Sequence, residues 1–315
     1  MNINKILGNE KVKQNLINAI KNNTVVNSYL FVGTDGIGKK EIAKEFARML
    51  FCEAEDIQND SECRNCRKFL EDNLIDFKLI EAEGKTIKID QIRTLNEDIY
   101  KLPIETKKKV YIINDSELMT EEAQNALLKT LEEPPKYALI ILITSREDLI
   151  LTTIKSRCTR ILFNDLSEDL IKEYINNNME DKDIDDNIIK MSSGSIGKLL
   201  RIKENYSEIV ELEKIVLNLI QNKENSKAEF LKSMEKAFAK KSRESIPDII
   251  DFIEVLFFET LKKENNINRK NAYINIVRKI ESTKNKIATS RNQNMTIDDL
   301  SLYMWEEINE NHSRN

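Results

Sequence analysis

The sequence predicts an α/β protein of the phosphate-binding-loop kind, a parallel sheet covered by helices on both faces, continued by an all-helical C-terminal part. Three observations carry this. Gly33-Thr34-Asp35-Gly36-Ile37-Gly38-Lys39-Lys40 follows the apolar run Tyr29-Leu30-Phe31-Val32 and precedes a helical pattern at Ile42, Ala43, Phe46, Ala47 and Leu50. Short apolar runs alternate with helix-periodic segments as far as Phe163, the pattern of buried parallel strands joined by crossover helices. Beyond Phe163 apolar residues recur only at helical spacing, as at Ile209, Leu212, Val216, Leu219 and Ile220.

Composition bounds the rest. A chain of 315 residues is long enough for two or three domains with cores of their own. Charged residues are 33% and glycine and proline are scarce, which favours a helix-rich soluble protein. The net charge of −5 gives no overall positive field to hold nucleic acid. A stand-alone nucleic-acid-binding protein is therefore disfavoured, and any DNA contact is expected to be local or made through partners. No apolar run is long enough to span a bilayer, and Met1-Asn2-Ile3-Asn4-Lys5 lacks the apolar core of a signal peptide. The expected location is cytoplasmic, with no membrane partner, and the four cysteines are expected to be metal ligands or free thiols rather than disulfides.

The elements follow in order. Residues 10–21 are predicted as a helix with Val12, Leu16, Ala19 and Ile20 on one face. The Tyr29 strand, the loop and its helix to Phe51 come next, then a cysteine-bearing segment from Cys52 to Cys66. Further strands are expected at Phe77–Ile80, Val110–Ile113, Ala138–Ile143 and Arg160–Phe163, with helices at 90–100, 121–132 and near 151–156. Thr120 is a good N-cap, Glu121 and Glu122 suit the first turn, and Pro134-Pro135 stop that helix. Helices are expected at 167–177 and 184–191, then a break at Ser192-Ser193-Gly194-Ser195-Ile196-Gly197 and another helix from Lys198. The Asn/Lys-rich stretches 263–270 and 284–294 read as solvated loops or helix ends.

The loop carries the chemistry. Glycines let backbone N–H groups converge on phosphate oxygens, and the helix N-terminus adds partial positive charge. Three of the seven glycines, Gly33, Gly36 and Gly38, fall here, more than a simple strand–helix link requires. Lys39 is expected to reach the outer phosphates. The pattern then calls for Ser or Thr, whose hydroxyl ligates Mg²⁺, and this chain has Lys40. A second element should be a strand ending in acidic residues that hold the metal and polarise the attacking water. Val110–Ile113 is that strand, and Asn114-Asp115-Ser116-Glu117 follows. Asn114 offers the metal no charge, and Asp115 is shorter than the usual Glu. A slipped register making Asp115 the metal ligand is less natural, because the apolar run ends at Ile113. With both direct contributions to Mg²⁺ altered, the expectation is absent or very slow hydrolysis and weak binding of ATP or ADP. The rival is an active ATPase that uses water-held Mg²⁺, Lys39 and Asp115.

Lys109-Val110-Tyr111-Ile112-Ile113, Met119-Thr120 and Ala123-Gln124-Asn125-Ala126-Leu127-Leu128-Lys129-Thr130-Leu131-Glu132-Glu133-Pro134-Pro135 resemble bacterial clamp-loader subunits of DNA polymerase III. So do Ile141-Leu142-Ile143-Thr144-Ser145 and Ile154-Lys155-Ser156-Arg157-Cys158. The resemblance covers roughly the first two hundred residues. It implies an AAA+ fold with three domains: the P-loop αβα domain at 1–163, a small helical lid at 164–204, and a helical collar for oligomerisation at 205–315. It implies an open hetero-pentameric ring with the motor (tau/gamma) and delta subunits, which loads a sliding clamp onto primed DNA. The motor subunit would be expected to keep an intact acidic pair, which this chain lacks. Ser156-Arg157-Cys158 matches the family's arginine-finger motif, so Arg157 would reach into a neighbour's ATP site. Thr144 resembles the sensor at the end of the central strand, Lys198 falls where relatives often carry a lid arginine, and Ile6-Leu7-Gly8 resembles the segment that packs on adenine. The assembly's activity would be DNA synthesis, but no carboxylate cluster suited to two-metal nucleotidyl transfer is present here.

The resemblance further implies a small zinc module, echoed over residues 52–69 by Cys52, Cys63 and Cys66. The place of its next cysteine is Phe69, and structural zinc is almost always four-coordinate. The lone histidine, His312, is near the far end of the chain, which leaves Asp60 or Glu62 as conceivable fourth ligands. The favoured reading is a decayed module held by packing. Cys158 belongs to the finger motif.

Overall fold

In the computed structural model, five of the apolar runs are parallel strands: β1 (Ser28–Val32), β2 (Phe77–Ile80), β3 (Lys109–Ile113), β4 (Ala138–Thr144) and β5 (Thr159–Leu162). The structure describes residues 2–54, 56–57, 63–179, 184, 186–204, 206–221, 226–239, 246–289 and 293–310. The sheet order is β2-β3-β4-β1-β5, with β4 central and β1 between β4 and β5. Register pairs Val32 with Thr144 and Ile113 with Leu142, so β1 and β4 end together where the glycine-rich loop leaves β1 and β3 ends two residues short of them.

The inner strands β1, β3 and β4 are largely apolar on both faces because both are covered. Val110, Ile112, Ile141 and Phe31 pack into one layer with Leu16 of α1 (Glu10–Lys21), Phe46 of α2 (Lys39–Phe51) and Phe69 of α3 (Arg64–Leu70). The alternate residues Tyr111, Ile113, Ile140 and Leu30 pack into the other layer with Leu95 of α4 (Ile89–Ile99), Leu127 of α5 (Glu121–Glu132) and Ile154 of α6 (Thr152–Lys155). The period of two along each strand thus sorts side chains between two helix layers. Thr120 caps α5 as expected, its hydroxyl accepting from the Ala123 N–H at 3.3 Å. Gln124 of α5 then ties down the following segment: its Nε2 donates to Leu149 O at 3.1 Å and its Oε1 accepts from Leu151 N at 2.9 Å. Between α4 and β3, the buried Asp76 carboxylate accepts the N–H groups of Ile104, Glu105 and Thr106 at 2.7–2.9 Å and pins that loop.

The chain forms two compact units. The first comprises residues 1–182 and 193–197: the sheet, its helices, α7 (Glu168–Asn178) and a strap that returns to the loop. The second comprises residues 183–192 and 198–315. It holds α8 (Asp186–Met191), most of α9 (Ile196–Glu204), α10 (Tyr206–Ile220), α11 (Lys227–Phe238), α12 (Ile246–Lys263), α13 (Ile267–Thr289) and α14 (Gln293–Glu310). The Asn/Lys-rich stretch 263–270 falls at the ends of α12 and α13, and the described residues of 284–294 belong to the ends of α13 and α14, residues 290–292 lying outside the described residues. Its core runs through Val216, Phe230, Ile253, Phe257, Ile276 and Met304, with Phe230 against Trp305 at 5.7 Å between ring centroids. Lys198 ion-pairs with Asp251 in this unit, and Lys284 reaches Asp251 and Glu254 at 2.5 Å each. Among the described residues no helix is long and apolar enough to cross a membrane.

Candidate nucleotide site

The glycine-rich loop wraps from the end of β1 to the start of α2. Gly36 (φ 74°) and Gly38 (φ 93°) take left-handed backbone conformations that side chains resist. Gly36 is also crowded: a Cβ there would stand 2.5 Å from Ser195 Oγ and 2.7 Å from Gly197 Cα. The strap responsible donates Gly197 N–H to Gly36 O at 3.0 Å and Ser195 Oγ to Asp35 O at 2.7 Å. These bonds hold the loop's crest from outside. Gly33 N donates to Thr144 O at 3.2 Å, which places Thr144 beside the loop's root. The Thr144 hydroxyl accepts from Arg146 N at 3.1 Å. Ile6 approaches the far end of the loop, since a methyl at Gly38 would lie 3.4 Å from Ile6 Cγ2.

Lys39 is buried at the centre, its Nζ donating to Gly33 O and Thr34 O at 2.6 Å each. Burial lowers its pKa, and the carboxylates of Asp35, Glu117 and Asp115 oppose that shift. Lys40, partly exposed at the start of α2, is engaged by Glu81 just past the end of β2. Its Nζ meets Glu81 Oε1 at 2.8 Å, the same oxygen that accepts from Asn114 Nδ2 at 3.2 Å. Asn114 Nδ2 also donates to Asp115 Oδ2 at 3.0 Å. Burial, then Glu117 and Asp35, raise the Asp115 pKa. The structure therefore brings Gly33, Gly36, Gly38, Lys39, Lys40, Asn114, Asp115 and Thr144 to one end of the sheet, the usual ligand-binding edge of an open α/β sheet.

Glu117 was legible only as part of the acidic motif, with no role attached. Asp115 turns left-handed (φ 48°), so Ser116 folds back to donate to Ile143 O at 2.9 Å. Glu117 then accepts from Ser145 N at 3.0 Å and Ser145 Oγ at 2.5 Å. Its other oxygen, Oε2, is buried with no hydrogen-bond partner among the described residues. A carboxylate four residues past the strand end is the available signal, but the left-handed turn at Asp115 that aims it is not written in residue type.

Arg157 lies apart from this cluster in its bonding. It donates to Thr153 O at 2.8 Å and pairs with Glu132, the last residue of α5. Cys158, beside it, is raised to about 12 by burial. The other three cysteines do meet: the sulfurs of Cys52, Cys63 and Cys66 lie within 4.8 Å of one another. None of the four is in a disulfide. Arg48, fully buried, donates to Cys66 Sγ at 3.3 Å and to Glu45 at 3.0 Å. Three soft thiol donors fit three positions of a zinc site. At the position of the next cysteine, Phe69 packs on Phe77 and Phe51 with ring centroids 4.6 and 5.9 Å away. Among the described residues no acidic group or histidine joins the three sulfurs. Asp60, Glu62 and His312 lie outside the described residues.

Residues 8–167, more than half of the chain, match the family model described as DNA polymerase III, delta subunit. The DNA polymerase III subunit gamma/tau of Mycoplasma genitalium is 32% identical over 246 residues, 74% of this chain and 41% of that protein. The subunit delta' of Bacillus subtilis is 34% identical over 206 residues, 65% of this chain and 59% of that protein. The chain thus spans less than two thirds of either relative's length. The crystal structure of a DNA polymerase III gamma subunit-related protein from Thermotoga maritima shares the fold, with TM-score 0.54 and 19% identity over 95% of this chain and 99% of that one. Sheet, loop and helical second unit are those of an AAA+ protein, and the chain belongs to the DNA polymerase III delta subunit family, as a delta-prime-like clamp-loader subunit.

Proposed function

We propose that this subunit hydrolyses no ATP itself and lends Arg157 to the ATP site of a neighbouring motor (tau/gamma) subunit. Its setting is a cytoplasmic hetero-pentamer with motor and delta subunits that loads the sliding clamp onto primed DNA. The observation that carries the reading is the chain of bonds Lys40–Glu81–Asn114–Asp115, which occupies the positions where a hydrolytic site needs an oxygen ligand and a free carboxylate. Lys39 and the loop N–H groups keep the means to hold phosphate, so ATP or ADP binds without being turned over. Arg157 suits a role in trans: its planar guanidinium is always charged and offers forked donors to phosphate charge. Thr153 O and Glu132 hold it at the end of α6. The cysteine cluster serves as a remnant of a zinc module kept in shape by Arg48 and the phenylalanines.

The test is ATP hydrolysis by a loader reconstituted with its clamp and primed DNA, wild type against Arg157→Ala, with assembly followed by gel filtration. An intact ring whose hydrolysis drops by about 10³-fold supports the finger. Unchanged hydrolysis in an intact ring removes it. Mg²⁺-dependent turnover by the isolated chain, abolished by Lys39→Ala, would instead favour a motor-type ATPase.

A further inference from the structure

The Mg²⁺ that accompanies nucleotide in phosphate-binding loops does not fit the residues of this site. That ion takes hard oxygen ligands in near-octahedral geometry, ordinarily a hydroxyl after the loop lysine and a carboxylate at the strand end. Here the first position is an ammonium, which has three donors and no acceptor. At the second, the amide nitrogen of Asn114 donates to Glu81 and Asp115. The two residues that should ligate the metal converge on a single oxygen, Glu81 Oε1, as hydrogen-bond donors.

The geometry points to Lys40 as a built-in replacement for the divalent cation, so that this chain binds the phosphate tail of a nucleoside di- or triphosphate without Mg²⁺. The inference rests on the reading of Lys39 and the loop as nucleotide-binding. Glu81 steers the Lys40 ammonium from one side and engages it through one oxygen at 2.8 Å. The side chain remains 34% exposed, so phosphate oxygens can reach its remaining donors. Lys39 supplies a second ammonium from the loop centre, held on the carbonyls of Gly33 and Thr34. Phosphate would draw both ammonium groups as compact point charges that need no fixed coordination geometry. A cation that is part of the chain cannot be removed by a chelator, and one oxygen each of Glu81 and Asp115 is already engaged by Lys40 or Asn114.

The experiment is calorimetric titration of the full chain with ADP, once with Mg²⁺ and once with excess EDTA. For wild type the two Kd values are expected to agree within about threefold. Lys40→Thr, which restores the hydroxyl, is expected to bind at least about tenfold more weakly in EDTA and to recover with Mg²⁺, more fully when combined with Asn114→Asp. Lys40→Met, which keeps the length and loses the charge, is expected to bind weakly in both buffers. Circular dichroism melts confirm that each variant is folded. If wild-type affinity falls about tenfold on chelation, or Lys40→Thr is indifferent to it, the inference is overturned. The loop reading survives that outcome provided Lys39→Ala abolishes binding. If wild type and Lys39→Ala alike fail to bind ADP in either buffer, both the loop reading and the inference fall.

Discussion

Asp76 and Asp98 carry local structure out of proportion to their size. Asp76 is buried and accepts three backbone N–H groups and the Thr106 hydroxyl, so the loop after α4 has one shape. Asp76→Ala would orphan those donors at a cost of about 2–4 kcal/mol in urea unfolding, while Asp76→Asn, which keeps an acceptor oxygen, should lose less. A neutral result for the alanine variant would mean that water replaces the carboxylate. Asp98 accepts from Tyr111 OH at 2.7 Å and pairs with Lys78 and Lys109 at 3.1 and 3.2 Å. Burial alone would raise its pKa, but the hydrogen bonds from Tyr111, Lys78 and Lys109 outweigh it and hold the carboxyl at about 2. A folded-state value below the ordinary carboxylate value of about 4 stabilises the protein above that pH. The contribution drains as pH falls from about 4 through about 2. Asp98→Asn should flatten the pH dependence in that window, as measured by unfolding free energies across it. An unchanged acid limb would place the dependence on other carboxylates.

At the scale of elements, what was legible was whatever depends on period and caps. The strand Phe77–Ile80 and the helix opened by Thr120 emerge where the apolar run and the N-cap put them, and the strand expected at Ala138–Ile143 runs one residue further, to Thr144. What was not legible depends on backbone hand or on residues far apart in sequence. The short helix Arg64–Leu70 lay hidden in the cysteine segment, with Cys63 as its N-cap. The docking of Ser195 and Gly197 onto Asp35 and Gly36 joins segments 160 residues apart, and no local pattern announces it. Glycine scarcity hints that Gly197 is needed, and the structure supplies the reason: a Cβ there would stand 2.8 Å from Gly36 Cα. Gly197→Ala should therefore destabilise the first unit by about 1–3 kcal/mol and weaken ADP binding together, because strap and loop give way as one. Loss of stability with unchanged ADP affinity would separate them. The cysteine cluster gives the converse lesson. The spacing led to three sulfurs that do meet, while Phe69 belongs to an aromatic core. On the proposal that packing rather than metal holds this segment, EDTA should leave the melting temperature unchanged and elemental analysis should find substoichiometric zinc. A fall of several degrees on chelation would show that a fourth ligand completes the site.

For the molecule as a whole, charge decides how it can meet DNA. The chain carries 49 Lys and Arg against 54 Asp and Glu. Many of the cations are already paired with local carboxylates, among them Arg201 with Asp248, Lys227 with Glu306 and Lys279 with Asp299. DNA affinity comes chiefly from cations that displace counterions from phosphate, and it shows itself as a steep fall with salt. A chain with a net negative field and locally neutralised lysines has little of that to offer alone. The isolated subunit should therefore give no saturable anisotropy change with a fluorescent primed duplex at physiological ionic strength. The reconstituted assembly should bind the same duplex with a clear salt slope contributed by its partners. Replacing Arg157 by Ala should leave that slope unaltered, since the proposed finger serves a neighbour's phosphates rather than DNA. Tight, salt-sensitive binding by the isolated chain would overturn this division of labour and restore the reading of a stand-alone nucleic-acid-binding protein.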